Sequence, residues 1–201
     1  AYSAREELKK LEPDVMTLDI EMPGMSGVAF LHEVMTEHPV ATVVISSISN
    51  AIFDALDAGA VDFVAKPSEN AAMQAFLQQV AVKIKIASTA RVGGLKAKRR
   101  EVLSHEEHDL RDVIAIGAST GGTEAILTVL RDLPSGLPGI VIVQHMPPVF
   151  TRMYAERLNN LCKIEVAEAK DGDAVLSGKA LIAPGGFQMR MVKAEKGGYI
   201  V

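Results

Sequence analysis

The stretch Val113-Ile114-Ala115-Ile116-Gly117-Ala118-Ser119-Thr120-Gly121-Gly122 decides the fold of the second half of this chain. Its apolar start predicts a strand, and the glycines at its end predict a tight turn. Apolar residues at helical spacing follow from about Gly122 to Asp132, and the continuous apolar run Ile140 to Val143 predicts a strand buried on both faces. Strand, turn, helix and strand in this order indicate a parallel sheet.

The first half of the chain shows the same alternation of strands and helices. Strands are predicted at 14–18, 42–46 and 61–64, and helices at about 28–38, 51–58 and 69–86. Residues 1–12 are predicted to form a helix that leads into the first of these strands. We therefore predict an α/β protein with parallel sheets and helices on both faces.

The composition of the chain bears on the compartment in which the protein acts and on membrane insertion. The chain has 201 residues, is 48% hydrophobic and carries 21 Lys and Arg against 25 Asp and Glu. One cysteine, Cys162, excludes an intramolecular disulfide and favours a reducing compartment, so a cytoplasmic location is expected. No apolar run reaches the ~20 residues that a membrane-spanning helix needs.

A polar segment separates the two halves. It holds Gly93-Gly94, the basic run Lys96 to Arg100 and the mixed run Ser104 to Asp109. Acidic residues follow the basic run at once and no aromatic residue is interleaved, which disfavours a nucleic-acid site. We predict domains at 1–87 and 112–201, joined by a flexible linker at 88–111.

Polar residues stand at the ends of all three predicted strands of the first half. Asp19 ends the first strand, Ser46-Ser47 the second and Lys66-Pro67 the third. Carboxyl ends of parallel strands share one edge of a sheet, so a carboxylate, a hydroxyl and an ammonium meet there. This set suits phosphoryl transfer to an aspartate. Taken singly, Asp19 could be a turn former and Lys66 a solvated charge.

The glycine-rich turn of the second half has two functional interpretations. Gly117-Ala118-Ser119-Thr120-Gly121 fits the G-x-S-x-G turn that projects a nucleophilic serine, and it also fits a phosphate-binding turn of a nucleotide site. His145 follows the next strand, so it is expected at the same edge as Ser119. A histidine there could take the serine proton and protonate the leaving group, although a lone strand-end histidine is more often structural.

The first half resembles the receiver domain of response regulators. The resemblance rests on Pro13 to Leu18, on Asp19-Ile20-Glu21-Met22-Pro23-Gly24-Met25-Ser26-Gly27, and on Asp62-Phe63-Val64-Ala65-Lys66-Pro67. It implies that Asp19 is phosphorylated, that Ser46 is the switch hydroxyl, and that Lys66 binds the phosphoryl group before a cis Pro67. It also implies a Mg²⁺ ion held partly by Asp19 and by the backbone carbonyl of Glu21.

The second half resembles the chemotaxis methylesterase family CheB, through residues 114–125 and Gln144-His145-Met146-Pro147-Pro148-Val149-Phe150-Thr151. The resemblance implies Ser119 as nucleophile, His145 as general base and Thr120 as their neighbour, with no esterase cofactor. It implies glutamate methyl esters on chemoreceptor cytoplasmic domains as substrates, glutamine deamidation as a further activity, and a receiver that blocks the site until the histidine kinase CheA phosphorylates Asp19. Neither nucleic acid nor membrane insertion is implied.

Four positions depart from the family pattern or leave it incomplete. Val149 stands where glycine is usual, and Gln188 where histidine is frequent. Asp171 and Asp173 resemble a family segment other than the one that holds the triad aspartate. The acidic pair that completes the receiver Mg²⁺ site also has no counterpart. We therefore expect a piece of a longer protein, with both domains incomplete, and little or no activity from the 201 residues alone.

Two other output functions stay open. One is a receiver joined to a nucleotide-binding or other non-catalytic module. A nucleotide site would be expected to have a ribose-binding acid after the second strand of its domain, where this chain has Gln144-His145. A DNA-binding output would need a helix-turn-helix with a basic recognition helix, and the run Ile140 to Val143 with its prolines indicates neither.

Overall fold

The chain folds as two compact units, residues 1–97 and 98–201, called here the first and the second unit. The structure is a computed structural model, and it describes residues 2–47, 49–67, 73–90, 92, 112–195 and 197–201. Of the predicted linker 88–111, only 88–90 and 92 lie among these residues. The predicted linker and domain boundaries therefore stay predictions.

The first unit alternates helices and strands. Its elements are α1 (Tyr2–Leu11), β1 (Val15–Asp19), α2 (Gly27–Glu37), β2 (Ala41–Ser46), α3 (Ser49–Asp57), β3 (Asp62–Ala65) and α4 (Met73–Ala87). The strands form a parallel sheet in the order β1-β2-β3. The predicted helix before the first strand and the parallel α/β pattern are confirmed. Residues 69–72, where the last helix was predicted to begin, lie outside the described residues.

The central strand β2 is covered on both faces. Val43 and Val44 point to opposite faces, and both are fully buried. Helix α4 covers one face, where Phe76 and Val80 pack against a cluster that contains Val43. This two-sided burial explains why β2 reads as a continuous β-branched run and not as an alternating one.

The second unit contains a four-stranded parallel sheet and a small antiparallel one. Its elements are β4 (Val113–Ala118), α5 (Gly122–Arg131), β5 (Gly139–Gln144), α6 (Phe150–Leu161), β6 (Glu165–Glu168), β7 (Ala174–Val175), β8 (Lys179–Ile182), β9 (Val192–Lys193) and β10 (Tyr199–Ile200). The parallel sheet has the order β4-β5-β8-β6, and the antiparallel sheet the order β7-β10-β9. The predicted strand, glycine turn, helix and strand are confirmed.

Helices α5 and α6 are joined by a buried hydroxyl. Tyr154 in α6 is fully buried, and its hydroxyl donates to the carbonyl oxygen of Thr123 in α5 at 2.7 Å. Burial raises the pKa of Tyr154, so the hydroxyl stays protonated and remains a donor. The bond fixes the first turn of α5, which directly follows the Ser119 turn.

Two expectations about single residues are wrong. Val143 is 53% exposed and not buried, because β8 pairs with β5 only as far as Ile142 and because the β4 partner of Val143 is Gly117, which has no side chain. The peptide bond before Pro67 is trans. Proline makes the cis form accessible, but its presence in a sequence does not select between the two forms.

Val149, just before α6, has a backbone conformation that β-branched residues rarely adopt. Its φ is 74° and its ψ is −45°. The side chain is 68% exposed, so packing does little to offset the strain. Glycine adopts this region freely, which gives a physical reason for glycine at the matching position of the family pattern.

We expect Val149→Gly to stabilise the second unit by about 1 kcal/mol. Relief of about 1–3 kcal/mol of backbone strain should outweigh the extra unfolded-state entropy of glycine, about 0.5–1 kcal/mol. The urea midpoint of the second unit measures the change. Val143→Gly, a matched exposed valine in strand β5, should instead lower the midpoint. A lower midpoint for Val149→Gly would contradict the strain argument.

Candidate functional site

Ser119 and His145 leave the sheet of the second unit side by side. Strands β4 and β5 pair in parallel, and their last residues, Ala118 and Gln144, lie opposite each other. Ser119 comes directly after β4, and His145 comes directly after β5. The backbone N–H of His145 donates to the carbonyl oxygen of Ala118 at 3.2 Å. Both side chains are exposed. The structure thus brings these two predicted residues to one edge of the sheet, and their catalytic roles stay predictions.

The turn after β4 is shaped by two glycines. Gly121 has a φ of 74°, in the left-handed region that favours glycine. A Cβ on Gly122 would lie 2.1 Å from Gln144 Oε1 and 2.6 Å from the Ala118 Cβ, so no side chain fits there. Helix α5 begins at Gly122, and its N-terminus favours negative charge beside Ser119. Half-buried Thr120 lies within this turn.

Gln144 links the two chain segments that carry Ser119 and His145. Its side chain is buried, and Nε2 donates to the carbonyl oxygen of Ser119 at 3.0 Å. Nε2 also lies 3.4 Å from the carbonyl oxygen of His145. Sequence reasoning used Gln144 in the family motif and in the search for a ribose-binding acid, and it gave the side chain no role. The position of Gln144 directly before a strand-end histidine was the one signal in the sequence that could have pointed to this contact.

The loop that carries His145 is braced by neighbouring loops. The buried Thr151 hydroxyl donates to Glu168 Oε1 at 2.5 Å and accepts the Gly185 N–H at 3.0 Å. A Cβ on Gly185 would lie 2.8 Å from the carbonyl oxygen of Met146, which shows how closely the loops after β8 and β5 approach. Sequence reasoning gave neither Thr151 nor Glu168 a role of its own.

The two aspartates that follow β6 form part of a local turn. Asp173 accepts the backbone N–H of Lys170 at 2.9 Å. The carbonyl oxygen of Asp173 accepts the N–H of Val201 at 3.0 Å, and Asp171 is exposed. These contacts give Asp173 a structural role in its own turn.

Asp19 and Lys66 meet at the carboxyl edge of the first unit's sheet. Asp19 ends β1 and Lys66 follows β3, so the lysine reaches across β2 to place Nζ 2.5 Å from Asp19 Oδ2. The other carboxylate oxygen, Oδ1, accepts the Glu21 N–H at 3.0 Å. Burial acts to raise the pKa of Asp19, but the hydrogen bonds from Lys66 and from the Glu21 N–H outweigh it and leave that pKa lowered.

The two serines that end β2 have different surroundings. Ser46 is fully buried, and its carbonyl oxygen accepts the backbone N–H of Lys66 at 2.9 Å. Ser47 is exposed, and its hydroxyl donates to Glu21 Oε2 at 2.5 Å. Ser46 was the predicted switch residue. Ser47, which sequence reasoning left without a role of its own, contacts Glu21 in the loop after β1.

The residues present at this edge fit a Mg²⁺ ion in part. Asp19 and Glu21 offer carboxylate and carbonyl oxygens, the ligands that Mg²⁺ prefers. Lys66 Nζ lies 4.0 Å from Glu21 Oε2, so the positive charge of the ammonium already stands beside these oxygens. Within the described ranges there is no group of three or more His, Cys, Asp or Glu residues that could hold a metal.

Each half of the chain matches the model of a known protein family. Residues 1–78 match the model of the response regulator receiver domain, and residues 114–199 match the model of the CheB methylesterase. The chain is therefore a response regulator in which a receiver domain precedes a domain of the methylesterase type. Receiver domains as a class use Mg²⁺ in their phosphorylation.

Curated relatives then give the family. The protein-glutamate methylesterase/protein-glutamine glutaminase 2 of Syntrophomonas wolfei is 50% identical, over 100% of this chain and 60% of the relative. The protein-glutamate methylesterase/protein-glutamine glutaminase of Syntrophotalea carbinolica is 49% identical, over 96% of this chain and 59% of the relative. The chain belongs to the CheB methylesterase family, as the motifs predicted, and it spans about 60% of the length of these relatives.

Solved structures show similarity to parts of the chain. The crystal structure of the Thermotoga maritima CheB methylesterase catalytic domain matches with a TM-score of 0.42 at 37% identity. That match covers 45% of this chain and 49% of the solved chain. Among the described residues, no helix is both long and apolar enough to cross a membrane.

We expect Lys66→Gln to raise the pKa of Asp19, because the substitution removes the charge and the hydrogen bond that lower it. The ¹³C chemical shift of the Asp19 carboxyl, followed against pH, measures this. Since the folded-state pKa lies below the ordinary value of 3.8, ionised Asp19 favours the folded state above that value. This contribution is lost as the pH falls through the folded-state pKa, and Lys66→Gln should remove it.

Lys10→Gln is the matched control, because Lys10 pairs with Glu7 on exposed α1. It should leave the Asp19 titration unchanged. An Asp19 titration that is the same with and without the Lys66 ammonium would contradict the assignment of the lowered pKa to this pair.

Proposed function

We propose that the protein hydrolyses glutamate methyl esters on chemoreceptor cytoplasmic domains during chemotaxis adaptation. The observation that carries this proposal is the shared strand-end position of Ser119 and His145. It is supported by the names of the relatives, protein-glutamate methylesterase/protein-glutamine glutaminase. Deamidation of glutamine at the same receptors is part of the proposal, because both reactions are acyl transfers from a glutamyl carbonyl.

Each residue has a role in the proposed reaction. His145 takes the proton of the Ser119 hydroxyl while Ser119 Oγ attacks the ester carbonyl, and His145 then gives that proton to the methoxy oxygen, which leaves as methanol. Water, activated by the same imidazole, hydrolyses the acyl-enzyme, which leaves a glutamate carboxylate on the receptor and restores Ser119. The N-terminus of α5 favours the negative charge that develops on the substrate oxygen, and Thr120 neighbours this centre. The esterase needs no cofactor in this scheme.

Control by phosphorylation is the second part of the proposal. We propose that the histidine kinase CheA phosphorylates Asp19, with Lys66 holding the phosphoryl oxygens and Ser46 acting as the switch hydroxyl. A Mg²⁺ ion would be held partly by Asp19 and the backbone carbonyl of Glu21, and it would supply charge neutralisation to the phosphoryl group. The unphosphorylated receiver restrains the esterase, which acts in the cytoplasm without nucleic acid or membrane insertion.

A nucleotide-binding or other non-catalytic output is not favoured. The family matches point to a methylesterase, and the strand end where a ribose-binding acid would be expected carries Gln144-His145.

We expect a fluorophosphonate probe to label Ser119 in the natural full-length protein, because the probe reacts with serines activated by a base. Ser119→Ala should abolish labelling, and His145→Gln should slow it by about 10²- to 10⁴-fold, the usual contribution of a general base. Peptide mass spectrometry locates the label. Ser135→Ala, a matched change at an exposed serine of the same unit, should have no effect. Full labelling of Ser119→Ala would disprove the nucleophile assignment.

Methanol release from methylated receptor measures how active the 201 residues are by themselves. Neither Asp171 nor Asp173 is expected to be the orienting aspartate, which contributes about 10⁴-fold in the serine-protease example, so the 201 residues alone should release little methanol compared with the natural full-length protein. Release at an equal rate would overturn this expectation.

We expect Asp19→Asn to abolish phosphoryl transfer from the kinase and the rise in methanol release that follows phosphorylation. An amide cannot form the acyl phosphate. Radiolabelled phosphate bound to the protein and methanol released from receptor are the two measurements. Asp14→Asn is the matched control, because Asp14 is exposed and lies just before β1, at the opposite end of that strand from Asp19. Phosphate uptake by Asp19→Asn would contradict the assignment.

A further inference from the structure

The stability of the fold does not explain why the side chain of Gln144 is buried. It is 6% exposed, and its Oε1 has no hydrogen-bond partner among the described residues. An unpaired buried amide oxygen costs about 1–3 kcal/mol, and an apolar side chain of similar size would avoid that cost. The contacts of Nε2 therefore indicate what the amide contributes.

The shorter contact of Nε2 is to the carbonyl oxygen of Ser119, and the longer one, at 3.4 Å, is to the carbonyl oxygen of His145. The carbonyl oxygen of Ser119 accepts two hydrogen bonds, one from the Gly122 N–H at 2.8 Å and one from Gln144 Nε2 at 3.0 Å. The first comes from helix α5 and the second from strand β5. The orientation of the Ser119 turn is thereby tied to the residue that directly precedes His145.

The space that the amide occupies is kept free by the chain itself. Gly122 has no side chain, and a Cβ there would lie 2.1 Å from Gln144 Oε1. In the sheet, the backbone of Gln144 is already paired with Ala118. One residue therefore holds the strand register through its backbone and the Ser119 turn through its side chain.

We propose that Gln144 is a positioning residue, which fixes the Ser119 hydroxyl relative to the His145 imidazole by hydrogen bonding to the carbonyl oxygen of Ser119. This inference rests on the proposed esterase function. Gln144 is too buried to contact a receptor substrate, so its effect is on the rate of the chemical step and not on substrate binding. A misplacement of about 1 Å can cost on the order of 10²-fold in rate.

The first test is the rate of Ser119 labelling by a fluorophosphonate in the natural full-length protein. Gln144→Leu should lower this rate constant by about 10- to 100-fold, and it should lower kcat for methanol release with little change in KM. Asn160→Leu makes the same change of an amide to an apolar side chain at an exposed position of α6, and it should leave both rates unchanged. Urea midpoints recorded for each variant report on folding.

The second test separates positioning from a merely structural role by its pH dependence. In Gln144→Glu, the introduced carboxyl can donate to the Ser119 carbonyl oxygen only when it is protonated. Burial beside carbonyl oxygens raises the pKa of a carboxyl, so protonation should occur within the working pH range. The labelling rate of Gln144→Glu relative to that of the wild type should therefore rise as the pH falls from about 8 to about 6. Asn160→Asp should give a ratio that does not vary with pH.

If the natural protein is not labelled at Ser119, the proposed function fails and the positioning role fails with it. If Ser119 is labelled and both Gln144 variants react at the wild-type rate, only the positioning role is overturned. A slow Gln144→Leu together with a pH-independent ratio for Gln144→Glu also overturns it, because lost packing alone gives the same loss at every pH.

Discussion

The parallel register between β4 and β5 is the constraint on which the second unit's site depends. It aligns Ala118 with Gln144, and Ser119 and His145 follow at the same level although 26 residues separate them in sequence. A shift of one residue would move the side chains of one strand to the opposite face of the sheet and take the serine and histidine apart. The buried neighbours Ile140 and Ile142, both at 1% exposure or less, oppose such a shift because it would expose them.

In the first unit, the same parallel geometry brings two opposite charges together. Three parallel strands end at one edge, so Asp19 and Lys66 meet across β2. The contact favours an ionised carboxylate and keeps an ammonium next to it, in the place where the proposed phosphorylation would add negative charge. Ser47 and Glu21 connect the loops that follow β2 and β1, so a change at Asp19 bears directly on the position of both loops.

Sequence patterns were sufficient for element order, parallel topology and the meeting of strand-end residues, because buried strands are apolar and their carboxyl ends share an edge. They were insufficient wherever a neighbour in space decides the outcome. Val143 is exposed because its β4 partner lacks a side chain, and Ser47 contacts Glu21 because two loops approach each other. The contact from Gln144 to Ser119 depends on the clearance at Gly122 and not on any local pattern. The departure at Val149 was visible in the sequence, but its meaning required the backbone angle.

The hydrogen bonds of Thr151 have a consequence for motion. One hydroxyl joins the start of α6, the end of β6 and the loop after β8, and that last loop lies against the segment that follows His145. Segments tied in this way fluctuate together, so the backbone that carries His145 has few positions open to it. In the proposed reaction, conformational entropy that would otherwise be lost at the transition state is lost during folding, which would lower the barrier.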